Sequence, residues 1–276
     1  MDHRLDADFY REKSWGAIPI RDAWDLPSLK IRHLMDVLRR RSRADASLLE
    51  VGCGSGRILS SIHARDPELR LTGLDLSASQ IDLARHSHPA IEFVHGNGEA
   101  LPFADASFDY VVFFDYLEHI EKPSESLAEM YRVLAPGGQL HFICPAEGQS
   151  VYWLSRKITG RHFKERTAGH IQQFSRRDLE RLVAAAGFRT TELRFSYHLV
   201  GSLMDYALFT LMLHPRIYRT YWTSNAYYAG SEQQSKGGIF NALLRIANAI
   251  AYLESRLCWR IRFGATAVHL TARKSA

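Results

Sequence analysis

The sequence predicts an α/β fold built on a doubly wound, mostly parallel sheet, and three observations carry that expectation. Short apolar runs alternate with segments of helical period, a glycine-rich turn "VGCGSG" leaves the first of those runs, and an acid, Asp75, ends the second. Strands that alternate with helices are joined by right-handed crossovers, which place helices on both faces of the sheet. With 276 residues, 46% of them hydrophobic and 24% charged, the chain can bury one substantial core and is neither disordered nor fibrous.

The elements follow in order. "PSLKIRHLMDVLRRR" spaces Leu29, Leu34, Val37 and Leu38 at helical intervals, and "ASLLEVG" then switches to a short strand. A helix from Arg57, strand "LRLTGLDL", a helix from Ser77 and strand "IEFVHG" come next. The loop "NGEALPFADAS" leads to strand "FDYVVFF", a helix from Ser124 to Leu134 and, after the turn "APGG", strand "QLHFICP". "SRRDLERLVAAAG" predicts a helix with Ser175 as N-cap and Gly187 as its stop, followed by strand "FRTTELRFSYH". A last strand, "GATAVHLTARK", is expected to run antiparallel. Before it, where a hairpin would suffice, lie roughly 65 residues rich in Leu, Tyr, Phe, Ile and Ala, an insertion long enough to expect a function for it. The expected organisation is an aromatic lid segment over 1–27 containing Tyr10 and Trp15, a cofactor-binding domain over 28–197, a helical insertion over 198–262, and the last strand over 263–276.

Cys53, Cys144 and Cys258 show no C-x-x-C spacing, which argues against a disulfide framework or a cysteine zinc site. The charged opening "MDHRLDADFYREK" lacks the apolar core of a cleaved signal, so the expected location is cytoplasmic. The positive excess resides beyond His198, in Arg216, Arg219, Lys236, Arg245, Arg256, Arg260, Arg262, Arg273 and Lys274, set against only Asp205, Glu232 and Glu254. That distribution suits anionic lipid or nucleic acid. "HLVGSLMDYALFTLMLH" is interrupted by Asp205 and falls short of the ~20 apolar residues a bilayer crossing needs. A second stretch places Ile239, Leu243, Ile246, Ile250 and Leu253 on one helical stripe, with Arg245, Arg256 and Arg260 on other faces. It suits a lid over an apolar pocket, or peripheral contact at the inner face of a membrane.

A glycine-rich turn leaving the first strand of such a sheet lets a ligand approach backbone at the switch point. The dinucleotide spacing G-x-G-x-x-G is not met, because counting from Gly52 its third glycine would fall at Arg57, whereas Gly56 comes one residue early. Asp75 can accept from both ribose hydroxyls of any adenosine cofactor.

These residues resemble the class I S-adenosylmethionine-dependent methyltransferases, whose small-molecule group carries E/D-x-G-x-G-x-G on a Rossmann-like fold. "LEVGCGSG", "LTGLDLS", "GNGEALPFADASFDYVV" and "YRVLAPGGQLHF" agree in order and spacing, and the likeness runs from Ser47 to about Phe195 plus the last strand. The resemblance implies that S-adenosyl-L-methionine is the cofactor, that Gly52, Gly54 and Gly56 approach its methionine part, and that Glu50 holds the loop and the amino group. It further implies Asp75 on the ribose and Leu76 on the adenine. Asn97 stands where the family commonly has Asp; its amide oxygen can accept, with the backbone of Gly98 and Glu99 carrying more of the adenine recognition. Asp115, at the end of the fourth strand, joins the cofactor-binding set.

Methyl transfer needs an in-line nucleophile and, for a hydroxyl, removal of its proton. In "FFDYLEHIEKP", Asp115, Glu118 and His119 are spaced for one face of a helical turn. The run resembles the E-x-x-E-H stretch of the polyprenyl catechol O-methyltransferases of ubiquinone synthesis, with Asp115 for the first Glu, where the acids and His are associated with a divalent metal. A helix cap with a packed histidine is the alternative, and no metal ligand is assigned. His170 in "AGHIQQFS" is a second base candidate, since in similar enzymes this loop covers the substrate side. The expected catalytic set is therefore His119, His170 and Glu118. The expected activity is O-methylation of a small hydrophobic, aromatic or lipid-like acceptor, without a nucleic-acid partner. The alternatives are an RNA methyltransferase using "RIYRTYW" and a non-catalytic S-adenosylmethionine-binding protein.

Overall fold

A computed structural model describes residues 17, 19–20, 24–40, 44–146, 169–211 and 239–275. Tyr10, Trp15 and the "RIYRTYW" run lie outside the described residues.

Strands β1 (Ser47–Val51) and β4 (Phe108–Phe114) lie side by side at the centre, and β1 is buried along its whole length. Their apolar runs therefore serve two cores at once: Leu48 and Val112 pack on one face of the sheet, Leu49 and Val111 on the other. β2 (Arg70–Asp75) and β3 (Glu92–His95) extend the sheet on one side. β5 (Leu134–Pro145), β7 (Ala267–Arg273) and β6 (Arg189–Ser196) extend it on the other, giving the order β3-β2-β1-β4-β5-β7-β6. β7 is antiparallel to both of its neighbours, whereas β3-β2-β1-β4-β5 pair in parallel. This is the expected doubly wound sheet with an antiparallel last strand.

Helices α1 (Leu26–Leu38), α2 (Arg57–His63) and α3 (Ala78–Ser87) cover one face through Leu34, Leu38, Leu59, Ile62 and Ile81. α4 (Pro123–Val133) and α5 (Arg176–Ala185) cover the other through Leu127, Met130, Leu179 and Val183. The predicted Ser175 cap is a full capping box with Asp178. β5 starts five residues before the predicted Gln139, because Leu134 already pairs with Phe108 and the "APGG" turn bulges out before Gln139 pairs with Tyr110. α1 is tied to the far end of the chain by polar contacts as well as packing. His33 Nδ1 lies 3.2 Å from His269 Nδ1, and Ser196 Oγ lies 2.7 Å from His269 Nε2. Burial holds His33 and His141 near pKa 3 and His269 well below its usual value, so all three sit neutral in the interior.

Two helices of the insertion are described, α6 (Leu199–Leu211) and α7 (Ile239–Leu257). Ala251 and Tyr252 of α7 pack on Leu26 and Leu29 of α1. The predicted apolar stripe turns the other way: Ile246, Ile250 and Leu253 are exposed. Ala251, Tyr252 and Ser255 form the buried side among the described side chains, and the side chains of Ile239 and Leu243, the rest of the predicted stripe, lie outside them. No helix among the described residues is long and apolar enough to cross a membrane.

Candidate active site

The order of strands reverses between β1 and β4, and in open α/β sheets ligands bind beyond the carboxyl ends of the strands at that point. A cavity of about 280 Å³ opens there. Its walls come from the β1–α2 turn, the end of β2, the Asn97–Gly98 loop and the segment after β4. Pro27 and Lys30 of α1 and Tyr197 after β6 complete it.

The glycine turn divides its labour. A Cβ on Gly54 would meet nothing within 4 Å, and this residue sits at φ +52° with its open side toward the cavity. Gly52 lines the cavity too, yet its missing side chain makes room for protein: a Cβ there would stand 2.8 Å from the Tyr116 ring. The same ring lies under Gly98, whose Cβ would come within 2.2 Å of the Tyr116 hydroxyl. Ser126 Oγ donates to the Gly98 carbonyl at 2.9 Å, so the Tyr116 hydroxyl must donate to Ser126 Oγ, 3.2 Å away. Burial pushes the Tyr116 phenol up to about 12, and it stays protonated to do so. Gly56 departs from the expectation. It is not part of the cavity wall, and its space is taken by Phe93.

Asp75 is fixed by the backbone. Its Oδ2 accepts from Gly54 N–H and its Oδ1 from Ser77 N–H, both at 2.8 Å. Each oxygen keeps a second lone pair, which suits a vicinal diol. Leu76, half exposed at the cavity edge, offers an apolar surface to a flat ring. The Asn97 amide oxygen accepts from Glu99 N–H at 2.9 Å, so it holds the loop as well as facing the cavity. The Glu99 carboxylate lies outside the cavity wall and accepts from Lys122 N–H at the start of α4.

Glu50 is the most telling wall residue. It is 1% exposed, and its Oε2 has no hydrogen-bond partner among the described residues. Burial, and then the nearby Asp75 carboxylate, push its own carboxyl well above the usual range, against a lowering contribution from the Leu59 amide. A buried acid aimed into a cavity without a partner fits a ligand ammonium group. Together with the open face of Gly54 and the spare lone pairs of Asp75, it makes the residues present fit S-adenosyl-L-methionine.

On the opposite wall, the chain after β4 makes a short 3-10 turn, Leu117–His119. Asp115 stands before it at φ +49° and pairs with Lys30 of α1, so it does not share a face with Glu118 as its spacing predicted. Glu118 and His119 are joined instead by His170. Ile171 and Gln172 N–H both donate to the Glu118 carbonyl, at 2.9 and 3.0 Å, which clamps the 169–172 segment against the turn. The His119 and His170 rings meet edge to face at 4.9 Å, and one ligand-type atom from each of Glu118, His119 and His170 lies within 4.8 Å of the others. His119 Nδ1 lies 3.2 Å from the Gly169 carbonyl, which can only accept, so Nδ1 carries the hydrogen. Nε2 then has the lone pair in the neutral ring, 3.9 Å from Glu118 Oε1. Of the three, only His119 lines the cavity; Glu118 and His170 stand buried behind it. Sequence reasoning missed Lys30, Tyr116 and Tyr197 as wall residues. Tyr116, set between buried Phe113 and Leu117, carries no sign in the sequence that its ring would serve two glycines.

Residues 49–142 match the family described as "Methyltransferase domain". A probable S-adenosylmethionine-dependent methyltransferase of Mycolicibacterium smegmatis is 30% identical over 158 residues, 57% of this chain and 58% of that one. A demethylmenaquinone methyltransferase of Renibacterium salmoninarum is 40% identical over 93 residues, 34% of this chain and 38% of that one. The chain thus spans about half the length of the curated relatives it matches. Among solved structures, the geranyl diphosphate C-methyltransferase of Streptomyces coelicolor, in complex with Mg2+, geranyl diphosphate and S-adenosyl-L-homocysteine, gives a TM-score of 0.56 at 18% identity, covering 90% of this chain and 79% of that one. That likeness shows the fold.

Proposed function

We propose that this chain, which carries a class I S-adenosylmethionine-dependent methyltransferase domain, transfers a methyl group to a hydroxyl of a small hydrophobic acceptor. The observation that carries the reading is the position of His119, whose ring shares one cavity with Gly54, Asp75 and Glu50. When bound, the cofactor supplies an electrophilic methyl on a sulfonium sulfur. Glu50 holds the ammonium end, Asp75 the ribose diol and Leu76 the adenine face. His119 Nε2 takes the acceptor's hydroxyl proton as the oxygen becomes the nucleophile. Glu118 stabilises the resulting imidazolium, and His170, packed edge-on, keeps the ring from swinging.

Relatives named as demethylmenaquinone methyltransferases support an acceptor of quinol-like size and polarity, and the apolar wall residues Ile20, Ile58, Phe114 and Ile120 suit one. The partners are then the acceptor and a membrane surface that supplies it, without nucleic acid, at a cytoplasmic location. A second reading is favoured by the clustering of Glu118, His119 and His170: a divalent ion held there would orient a chelating diol. Loss of turnover in chelator, restored by a divalent ion, selects that reading; full turnover in chelator removes it.

The test is turnover on a panel of alkylated catechols and quinols, with methylated product identified by mass spectrometry. His119→Gln should lower turnover roughly 10²- to 10⁴-fold and leave cofactor affinity intact. Full activity in the variant removes His119 as the base, and failure of the wild-type protein to bind S-adenosyl-L-methionine removes the reading altogether.

A further inference from the structure

We propose that the outward face of α7 docks on an anionic lipid bilayer, with the helix lying in the plane of the headgroups. This rests on the hydrophobic-acceptor reading for its purpose, and on the surface itself for its evidence. At about 100° per residue, Ile246, Ile250, Leu253 and Leu257 fall within a sector of roughly 60°. All four are exposed, Ile246 at 57% and Leu257 at 82%. Ala251 and Ser255, which pack against the protein, lie on the far side of the helix. Among the described side chains of α7, four large apolar residues are thus turned to solvent while Ala251, Tyr252 and Ser255 face the protein, the reverse of what a helix stabilised only by its own domain does.

Charge selects the occupant. Arg245 and Arg256 are both exposed and leave the helix about 90° to one side of the stripe, Arg256 with its guanidinium carbon 6.0 Å from the centre of the Tyr252 ring, a position from which long basic side chains can reach headgroup phosphates while the stripe enters the acyl boundary. Beyond α7, exposed Arg260 and Arg262 alternate with exposed Ile261 and with Phe263, which is 89% exposed. Glu254 is the only acid between Ile239 and Phe263, and its carboxylate accepts from Val200 and Gly201 N–H at the start of α6. An apolar sector rimmed by four arginines matches a bilayer bearing anionic lipid better than it matches a protein surface, which would leave those charges without partners. The face is also continuous with the site. Tyr252 and Ala251 pack on Leu26 and Leu29 of α1, and the next α1 residues, Pro27 and Lys30, form the cavity wall. A bilayer seated on α7 thus lies one helix away from the pocket that a lipid-like acceptor must enter.

The test is cosedimentation of the full chain with vesicles of phosphatidylcholine alone or with about a third phosphatidylglycerol, alongside calorimetry with S-adenosyl-L-methionine. The protein should sediment with the anionic vesicles and release as salt rises toward about 0.5 M, where screening shortens to a few ångströms. The double variant Ile250→Asp, Leu253→Asp, at exposed positions, should bind the anionic vesicles at least about tenfold more weakly while keeping cofactor affinity. Absence of sedimentation with anionic vesicles, equal binding to neutral ones, or undiminished binding by the double variant overturns the proposal. So does a self-association abolished by the same variant without any vesicle binding. Loss of cofactor binding in the wild-type protein would strike the proposed function and leave the vesicle result to stand by itself.

Discussion

Replacing Glu50 with Gln separates the two costs that this side chain carries. In the free protein the carboxyl is 1% exposed, one oxygen has no partner, and burial with Asp75 nearby holds its pKa well above 4.5. The folded chain therefore keeps a proton that the unfolded chain has released. Stability from that proton is fully present below about pH 4.5 and is lost as pH rises through the folded value. On binding, an ammonium group facing Glu50 favours the ionised form, so the proton leaves. Two measurements follow from one calorimetric titration. In wild-type protein the binding enthalpy should vary with the ionisation enthalpy of the buffer in the sense of net proton release; in Glu50→Gln that dependence should shrink. The affinity should fall by about 1.5 to 3 kcal/mol, the worth of a hydrogen bond between charged partners, or roughly 10- to 150-fold in Kd. Thermal unfolding of the free protein gives the opposite sign: as pH rises from about 5 to about 8, the variant should gain on the wild type, because it carries no buried acid to ionise. Buffer-independent enthalpy in the wild type with unchanged affinity in the variant would refute the assignment of Glu50 to the ligand.

The glycines should part company. Gly54→Ala, pointing into open cavity, should weaken cofactor binding with a stability loss of only about 1–2 kcal/mol from its left-handed backbone. Gly98→Ala, colliding with Tyr116 and Val51, should lose about 1–3 kcal/mol of stability by overpacking, and denaturant melts of the two variants distinguish the outcomes. The neutral buried histidines have depressed folded values, so their contribution is present above about pH 6.5 and lost as pH falls toward 3. Urea melts should lose up to about 1.4 kcal/mol per pH unit for each of His33, His141 and His269, and His141→Gln should reduce that slope by about one histidine's share.

The cavity wall made by Gly52, Gly54 and Asp75 was legible because its determinants are local. Glycine spacing, an acid at a strand end and the period of flanking helices are properties of consecutive residues, and the sheet order places them together without further instruction. The catalytic side was half legible. Glu118 and His119 are adjacent in sequence, but His170 joins them only because two backbone amides bond the Glu118 carbonyl across more than fifty residues of chain. Asp115 lines the cavity, but its positive φ and its pairing with Lys30 break the regular helical turn that its spacing with Glu118 and His119 predicts. The α7 stripe shows a different limit. Periodicity tells that one face is apolar and says nothing of which way it turns, and here Ala251 and Tyr252 make the fit to Leu26 and Leu29 of α1.

The position of β7 between β5 and β6 bears on how the chain is made. As it leaves the ribosome, β1 through β5 can assemble with their helices as soon as each crossover is complete, and with them the Gly54, Asp75 and Glu50 wall. β6 cannot. Among the described residues its strand partner is β7, Ala267–Arg273, which follows the whole insertion in the chain. Until translation reaches that point, β5 has an open edge and β6 waits with the whole insertion still ahead of its mate. His33 of α1 likewise lacks its contact with His269 until then. Without Ala267–Arg273, β5 should therefore keep an open edge and β6 should lack its strand neighbour, whereas the Gly54, Asp75 and Glu50 wall, built on β1 and β2, needs neither.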